Sequence, residues 1–312
     1  MHRRRNILWG LVAVSVAAIL LLKTLGILPE GLNDIATRAW AVVLVFLGLS
    51  ILLRNRLPAG GIIAVVVSVA LVAGIAAAAY GGRTGQPRDD YHEPIAQNVG
   101  AGVGLLQITL DILTTDVEIG LSTGSRVVEG EFIGSRQSVI QIDYDEDNAG
   151  LATMVVHETK PESFPALDSV GRGTLKINLP ANVPLDVDLK ITSGDSTLNL
   201  SGTTLERLNL NAQTGNALVT LPEYEPRSDS VQQNPGTLTV QNGNITLFIP
   251  EAVAARLELD RGSRGIEPQF DSTVYDYLGG VLLENRNFAN SDIVIHYVVV
   301  APRGLIRVEN AP

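Results

Sequence analysis

A degenerate twelve-residue template that recurs after residue 100 is the feature that most constrains this fold. It reads apolar-x-apolar-x-x-(Gly/Thr)-(Asp/Asn)-x-x-apolar-x-apolar. Clear copies start at Leu110, Leu189, Leu210 and Leu238, and weaker ones at Leu257 and Tyr297. Alternating apolar residues on both sides of a turn predict two short strands that face one core and are joined by a corner. Glycine and Asp or Asn suit that corner, since glycine tolerates positive φ and Asx side chains hydrogen-bond within their own turn.

The spacing of the copies distinguishes between two all-β architectures. The copies at 189 and 210 lie 21 residues apart, and the next step of 28 contains the loop 223–234, so one coil takes close to 20 residues. A sandwich has no reason to repeat a turn at fixed offsets, whereas each coil of a solenoid must turn where the previous one did. We therefore expect a right-handed single-stranded β-helix over residues 99–312. The fixed offset also marks four polar residues as corner residues and not ligands: Asp116, Asp195, Asn216 and Asn244.

The first 80 residues have a different character, with apolar segments at 7–28, 39–53 and 60–80. The third has 21 residues and no charge, enough to cross a hydrocarbon core of about 30 Å. The sequence predicts a membrane α-helical N-terminal region, with three transmembrane helices over residues 1–80 and a juxtamembrane linker at 81–98. The second segment is short. If it does not span, the number of helices falls to two.

Arginine placement predicts the topology. Arg3, Arg4 and Arg5 precede the first segment, and Arg54 and Arg56 separate the second from the third. The positive-inside rule places both basic stretches in the cytoplasm. We therefore expect a multi-pass protein of the bacterial cell membrane with a cytoplasmic N-terminus and an extracytoplasmic C-terminal domain. With only two spans, that domain would lie inside.

Small residues recur at every fourth position of the third segment, in the rows Gly60, Ala64, Ser68 and Ala70, Gly74, Ala78. Such rows allow helices to approach closely. They are consistent with packing inside the membrane region or with an oligomer formed through the third helix.

Composition limits the chemistry of the remaining chain. There is no cysteine, which excludes disulfides, thiolate metal sites and cysteine nucleophiles. Residues 81–312 hold 16 basic and 31 acidic residues, a net charge of −15. A domain this acidic repels nucleic acid, so no nucleic-acid partner is expected.

Two local motifs resemble functional sites without completing them. Gly120-Leu-Ser122-Thr-Gly124 matches the nucleophile elbow, but that motif needs a strand–turn–helix, and another strand-like run follows here. The stretch from Asp143 to Asp147 resembles the start of a calcium loop, yet Asn148 replaces the required glycine and Met154 the final glutamate. A turn serine and an acidic hairpin tip are the favoured interpretations, with weak calcium binding at 143–147 left open.

The histidines and a glycine-rich run add no further site. His2, His92, His157 and His296 are scattered, with no pair at ligand spacing, and residues 100–104 lack the helix that a phosphate loop requires. The sequence predicts no catalytic, cofactor-binding or metal-binding residues, no cofactor and no enzymatic activity.

Two sequence resemblances cover most of the chain. The stretch from Leu179-Pro180 through Gly194-Asp195 to Leu221-Pro222, with a further strand end at Ile249-Pro250, resembles the toast-rack family of bacterial adhesin-like β-solenoids. The front, from Trp9-Gly10 through Trp40 to Leu53-Arg54, resembles the membrane region of LiaF-like envelope-stress proteins. These resemblances imply a bacterial membrane protein of envelope-stress signalling or surface interaction.

Two functions follow from these expectations. In the first, the protein senses or regulates envelope stress through a membrane partner such as a sensor kinase. In the second, it is a surface adhesin or scaffold module that the helices merely anchor in the bilayer. The excursions at 223–234 and 265–278 are the expected binding loops, because loops that break a repeat are free to contact partners.

Overall fold

The computed structural model describes residues 81–124, 126–160, 169–227, 236–262 and 266–311, with Ala70, Gly74 and Ala77. The chain divides into two compact units, residues 1–86 with 160–171 and residues 87–159 with 172–312. In the first, residues 81–84 are helical. The second is a β domain and contains every strand of the described residues.

Eighteen strands are described. The first nine are β1 Tyr91–Asn98, β2 Leu105–Ile112, β3 Asp116–Leu121, β4 Val127–Gly134, β5 Val139–Glu146, β6 Leu151–Thr159, β7 Thr174–Leu179, β8 Pro184–Ile191 and β9 Ser196–Asn199. The remaining nine are β10 Thr204–Thr214, β11 Ala217–Thr220, β12 Gly236–Asn242, β13 Ile245–Ile249, β14 Val253–Asp260, β15 Tyr275–Leu278, β16 Leu282–Asn285, β17 Ile293–Val300 and β18 Ile306–Asn310. A single 3₁₀ turn, Phe288–Asn290, is described between β16 and β17.

The strands form two sheets. The eight-stranded sheet has the order β1-β4-β7-β3-β9-β11-β13-β18, and the ten-stranded sheet the order β15-β16-β14-β17-β12-β10-β8-β2-β6-β5. Alternate residues of the central strands are buried, as period-2 patterning requires. The buried side chains of both sheets form one apolar cluster.

The middle of the domain consists of three consecutive coils, β8–β9, β10–β11 and β12–β13. Each coil is a strand of the ten-stranded sheet, a corner and a strand of the eight-stranded sheet. Neighbouring coils are parallel and in register, so Leu189 lies beside Leu210 and Leu210 beside Leu238. Equivalent positions of the sequence template therefore lie next to each other in space.

Both ends of the stack depart from chain order. The coil β2–β3 lies between β6–β7 and β8–β9, although the strands β4, β5 and β6 separate β3 from β7 in the chain. At the other end, β17 inserts between β12 and β14. After β14 the chain reaches Gln269, which forms an isolated parallel bridge with Arg307 of β18.

The predicted fold class is therefore wrong. A single-stranded β-helix adds each coil onto the preceding one, whereas these residues form two sheets that are parallel in the middle. Antiparallel pairs lie at both ends of the ten-stranded sheet and at the β1 end of the eight-stranded sheet. The antiparallel strands are β1 and β4 on one sheet, and β5, β15 and β16 on the other. The template repeats a corner but carries no information on coil order, which the long connections decide.

The membrane α-helical N-terminal region of the predicted fold class is also not found in the described part of the chain. Among the described residues, no helix has both the length and the apolar character needed to cross a bilayer. The predicted spans at 7–28 and 39–53, and all but three residues of the span at 60–80, lie outside the described residues. Most of the rows of small residues lie outside them as well.

Candidate interaction site

The corners of the coils bring backbone into direct contact with backbone. Gly194, Gly215, Gly243 and Gly304 occupy equivalent corner positions. A Cβ built on Gly215 would collide with the carbonyl oxygen of Gly194, and one on Gly243 with that of Gly215. Gly215 and Gly243 also have positive φ, of 133° and 150°. Glycine is required here because the carbonyl of the neighbouring coil occupies the space that a side chain would need.

The predicted corner residues form a hydrogen-bonded ladder. Each side-chain Oδ1 accepts a hydrogen bond from the backbone N–H of the next corner. The distances are 2.8 Å from Asp116 to Asp195, 2.7 Å from Asp195 to Asn216, 3.1 Å from Asn216 to Asn244 and 2.8 Å from Asn244 to Leu305. Their placement at the corners agrees with the spacing of the template. However, the expected partner was wrong, since these bonds join neighbouring coils and not the two sides of one turn.

At the corner between β2 and β3, a buried carboxylate accepts the backbone N–H groups that lie just before Asp116. In the middle corners, Gly194 N–H and Gly215 N–H donate to backbone carbonyls of the next coil. Here Leu113 N–H and Thr114 N–H donate to Glu158 Oε2, at 2.8 and 2.9 Å. Ser138 Oγ donates to the other oxygen at 2.9 Å, and Glu158 is fully buried. Sequence reasoning missed this residue, because an isolated Glu in an alternating strand looks like a surface position.

The elbow-like serine is part of a turn. Ser122 Oγ and Thr123 Oγ1 both donate to Glu129 Oε1, at 2.9 and 3.1 Å, and Gly124 N–H donates to Ser122 Oγ. Hydrogen bonds from Thr123 N–H and from the two hydroxyls lower the pKa of Glu129. No contact with a histidine is recorded for Ser122 in the described residues. These hydrogen bonds hold the turn that follows β3.

The acidic stretch at 143–147 is the end of β5 and the tip of its hairpin. Asp147 Oδ1 accepts Ala149 N–H and Leu151 N–H, at 2.9 and 2.8 Å, which closes the turn. Glu146 accepts the Tyr144 hydroxyl and Gly100 N–H. Within the described ranges, no three acidic or histidine side chains converge as metal ligands.

The three described histidines lie apart, on outward positions of the sheets. His92 Nδ1 lies 2.9 Å from Glu131, a contact that raises the pKa of His92. His157 lies 3.3 Å from Asp111. His296 packs against Phe288, and burial, assisted by Arg256, lowers its pKa. His2 lies outside the described residues.

The first predicted binding loop begins on the outer face of the ten-stranded sheet. Glu206 is the extra residue of a β-bulge in β10. Its carboxylate accepts the Tyr224 hydroxyl at 2.5 Å and Arg227 N–H at 2.9 Å, which fixes residues 224–227. Burial first, and then this bond, raise the pKa of Tyr224 to about 12. The loop residues 228–234 lie outside the described residues.

The second predicted loop, 265–278, mostly covers the end of the stack. Gln269 N–H donates to the carbonyl oxygen of Ile306 at 2.9 Å, and the carbonyl oxygen of Gln269 accepts Val308 N–H at 2.8 Å. These two bonds pair part of the outer edge of β18. Tyr275 and Tyr277 then begin the hairpin that extends the ten-stranded sheet beyond β14. Much of this segment is thus structural.

A cleft of about 830 Å³ lies beside this covering segment, and we call it the end cleft. The cleft lies at the N-terminal ends of β14 and β17. The glycine corners follow the C-terminal ends of these strands, so they lie on the opposite side of the sheet from the cleft along the strand direction. Its apolar lining comprises Pro250, Val253, Ala254, Tyr275 and Ile293. Ligand sites are typically about 300–1,000 Å³ with an apolar floor and a few polar groups, so its size and lining fit a binding site.

Polar side chains form the rim of the end cleft. Four are asparagines, Asn285, Asn287, Asn290 and Asn310. Asn285 is held in place, because it hydrogen-bonds the side chain of Tyr275 and accepts Asn287 N–H at 2.8 Å. Burial raises the pKa of Tyr275 to about 12. The rim also contains three charged residues, Glu251, Arg286 and Asp292, and two hydroxyl residues, Thr273 and Ser291.

These features define an all-β protein built on a stack of strand pairs, with an open cleft at one end. Residues 85–247, more than half of the chain, match the family Toast_rack_N, the N-terminal domain of toast_rack (DUF2154). The chain therefore belongs to the toast-rack family, as the strand-end motifs indicated. The match begins after residue 80, so the LiaF-like resemblance of the front stays a prediction.

The fold is also similar to solved structures. A putative cell adhesion protein from Clostridium sporogenes ATCC 15579 aligns over 70% of this chain and 100% of its own, with 16% identity and a TM-score of 0.58. A putative adhesin from Bacteroides fragilis NCTC 9343 aligns over 72% and 99%, with 10% identity and a TM-score of 0.22. At such identities the first similarity establishes the fold alone. No curated protein matches the chain.

Proposed function

We propose that this chain is a non-enzymatic surface-interaction module of the bacterial cell envelope, with its β domain outside the cell membrane. The end cleft is the observation that supports this function best, since it combines an apolar floor with a polar, mostly uncharged rim. Its fold resembles that of a putative cell adhesion protein, which is consistent with a role in contact. The net charge of −15 on residues 81–312 argues against nucleic acid as the partner.

The location rests on the sequence, in particular on the uncharged segment 60–80 and the arginines around it. A reporter fused after Pro312, active only outside the cytoplasm, tests it in cells. We expect activity together with digestion of the β domain by protease added to intact cells. A reporter signal confined to the cytoplasm would overturn the proposal.

A second proposed function is regulation of a membrane partner such as a sensor kinase during envelope stress. The rows of small residues in segment 60–80 favour it, because close packing of that segment would couple the domain to a partner. Replacing residues 1–80 with an unrelated single-span anchor separates the two functions. Loss of an envelope-stress response with retained surface binding supports regulation, and an unchanged response excludes it.

A further inference from the structure

We propose that the end cleft binds an uncharged oligosaccharide, an inference that rests on the surface role proposed above. A sugar ring presents hydroxyls at its edge and C–H groups on its faces. It therefore needs a site that combines paired donors and acceptors with small apolar surfaces. The rim and the floor of the end cleft provide these two kinds of surface.

The rim supplies donors and acceptors together. Each asparagine side chain carries two N–H donors and a carbonyl acceptor, which matches hydroxyls that both donate and accept. Asn287, Asn290 and Asn310 are exposed. Within the described part of the chain, no hydrogen bond occupies their side-chain amides. Forming bonds to a sugar would therefore cost no existing contact of these groups.

The charges of the rim favour a neutral ligand over an acidic one. Arg286 is engaged with Asp276, Nη2 to Oδ1 at 3.0 Å, so its charge is largely balanced. Glu251 and Asp292 line the same cleft without a basic partner among the described residues. Two carboxylates repel phosphates, sulfates and uronates, whereas they accept strong hydrogen bonds from hydroxyls.

The floor is small, apolar and already in place. Val253 and Ile293 are paired across the parallel strands β14 and β17, and Ala254 follows in the same strand. Val253, Ala254 and Tyr275 are almost completely buried and hold the floor in shape, whereas Ile293 is only partly buried and presents apolar surface to the cleft. A floor fixed by sheet pairing needs little ordering when a ligand binds, which preserves affinity.

An extended peptide is the competing occupant, since its backbone also pairs with amides. Peptides that bind this way usually extend an open strand edge. Here Gln269 already pairs with the outer edge of β18 through the carbonyl of Ile306 and the N–H of Val308. The β14 edge is paired with β16, and the open edge of this sheet at that end, β15, offers only four residues to an added strand. The observed pairing thus favours the sugar.

The test measures binding to the purified full-length chain by calorimetry. The probes are chitotriose and cellotriose as neutral sugars, trigalacturonate as an acidic one, and an uncharged Gly-Ser-Ala nonapeptide. We expect saturable binding of at least one neutral sugar, and at least tenfold weaker binding of the trigalacturonate and the peptide, equivalent to about 1.4 kcal/mol.

Variants assign the binding to the end cleft. The double variant Asn287→Ala/Asn290→Ala and the floor variant Ala254→Leu should each weaken sugar binding about tenfold or more. The control Asn211→Ala removes an exposed asparagine of β10 and should bind as the parent does. Unfolding temperatures verify that each variant folds.

The outcomes separate this inference from the surface role. If neither neutral sugar binds, if trigalacturonate or the peptide binds as well, or if the rim and floor variants bind like Asn211→Ala, the oligosaccharide assignment is wrong. The reporter and protease results on cells are independent of these titrations. If the β domain is displayed outside the cell but binds no neutral sugar, the ligand assignment is wrong and the proposed location is unaffected.

Discussion

The middle and the ends of the β domain differ in how the backbone groups of neighbouring coils are hydrogen-bonded and covered. In the middle, each corner has a glycine for close approach and an Asp or Asn that accepts the N–H of the next corner. At one end, the buried side chain of Glu158 accepts the corner N–H groups. At the other, Gln269 and the β15–β16 hairpin cover the outermost strands.

This difference shows which parts of the sequence specify shape and which are free to vary. A middle coil is paired on both sides, so its corner is determined by its neighbours. Towards the ends, the neighbouring coil lacks the short corner, as between β6 and β7, or is absent, and different residues satisfy the backbone groups. The end cleft arises beside the covering segment, where the repeat no longer dictates each side chain.

The largest effect is expected from breaking a middle corner. In Gly243→Ala, the new Cβ collides with the carbonyl oxygen of Gly215, and alanine is strained at φ 150°. We expect the free energy of unfolding to fall by about 3–5 kcal/mol. Urea unfolding measures it. Gly102→Ala is the matched control, since no atom lies within 4 Å of its Cβ position, and equal losses in both variants would refute the corner argument.

The capped end should show a smaller but clear loss. Glu158→Gln keeps the side-chain shape but removes the charge and one of the two acceptor oxygens that Leu113 N–H, Thr114 N–H and Ser138 Oγ share. We expect a loss of about 2–3 kcal/mol in the free energy of unfolding. Glu118→Gln alters a half-exposed pair with Lys176 and should lose less than about 1 kcal/mol. A loss no larger than that of Glu118→Gln would mean that Glu158 does not cap the corner.

The same contrast explains how far the sequence predicts the structure. The template located the corners, because Gly215 and Asn216 recur at a fixed offset between alternating apolar pairs. Coil order was not predictable, since the pattern in β17 is equally compatible with a position after β14 or between β12 and β14. Nor was the end cleft, whose rim joins Asn310 to asparagines far away in the chain.

A single step of the side-chain ladder is the next test. Asn216→Ala removes the Oδ1 acceptor of Asn244 N–H and should lower the free energy of unfolding by about 1 kcal/mol. Asn211→Ala, on the exposed face of β10, should change it by less than half of that. Thermal unfolding of the two variants side by side gives the difference. A neutral Asn216→Ala would show that strand pairing alone aligns the coils.

The smallest effect concerns the first step of the ladder, where Asp116 takes the position that Asn216 and Asn244 hold further along. Burial raises the pKa of Asp116 above 3.8, against the opposing effects of Asp195 N–H and Arg172. A carboxyl with a raised pKa in the folded protein favours folding at low pH, and this advantage is lost as pH rises through that pKa. Asp116→Asn does not titrate, so the stability of the parent relative to this variant should decline from pH 3 to pH 6.

Asp271 provides the opposite case, because hydrogen bonds from Thr273 lower its pKa. The stability of the parent relative to Asp271→Asn should therefore rise over the same pH range. Urea unfolding of the three proteins across this range measures both slopes, and slopes of the same sign would contradict the burial of Asp116 as the cause.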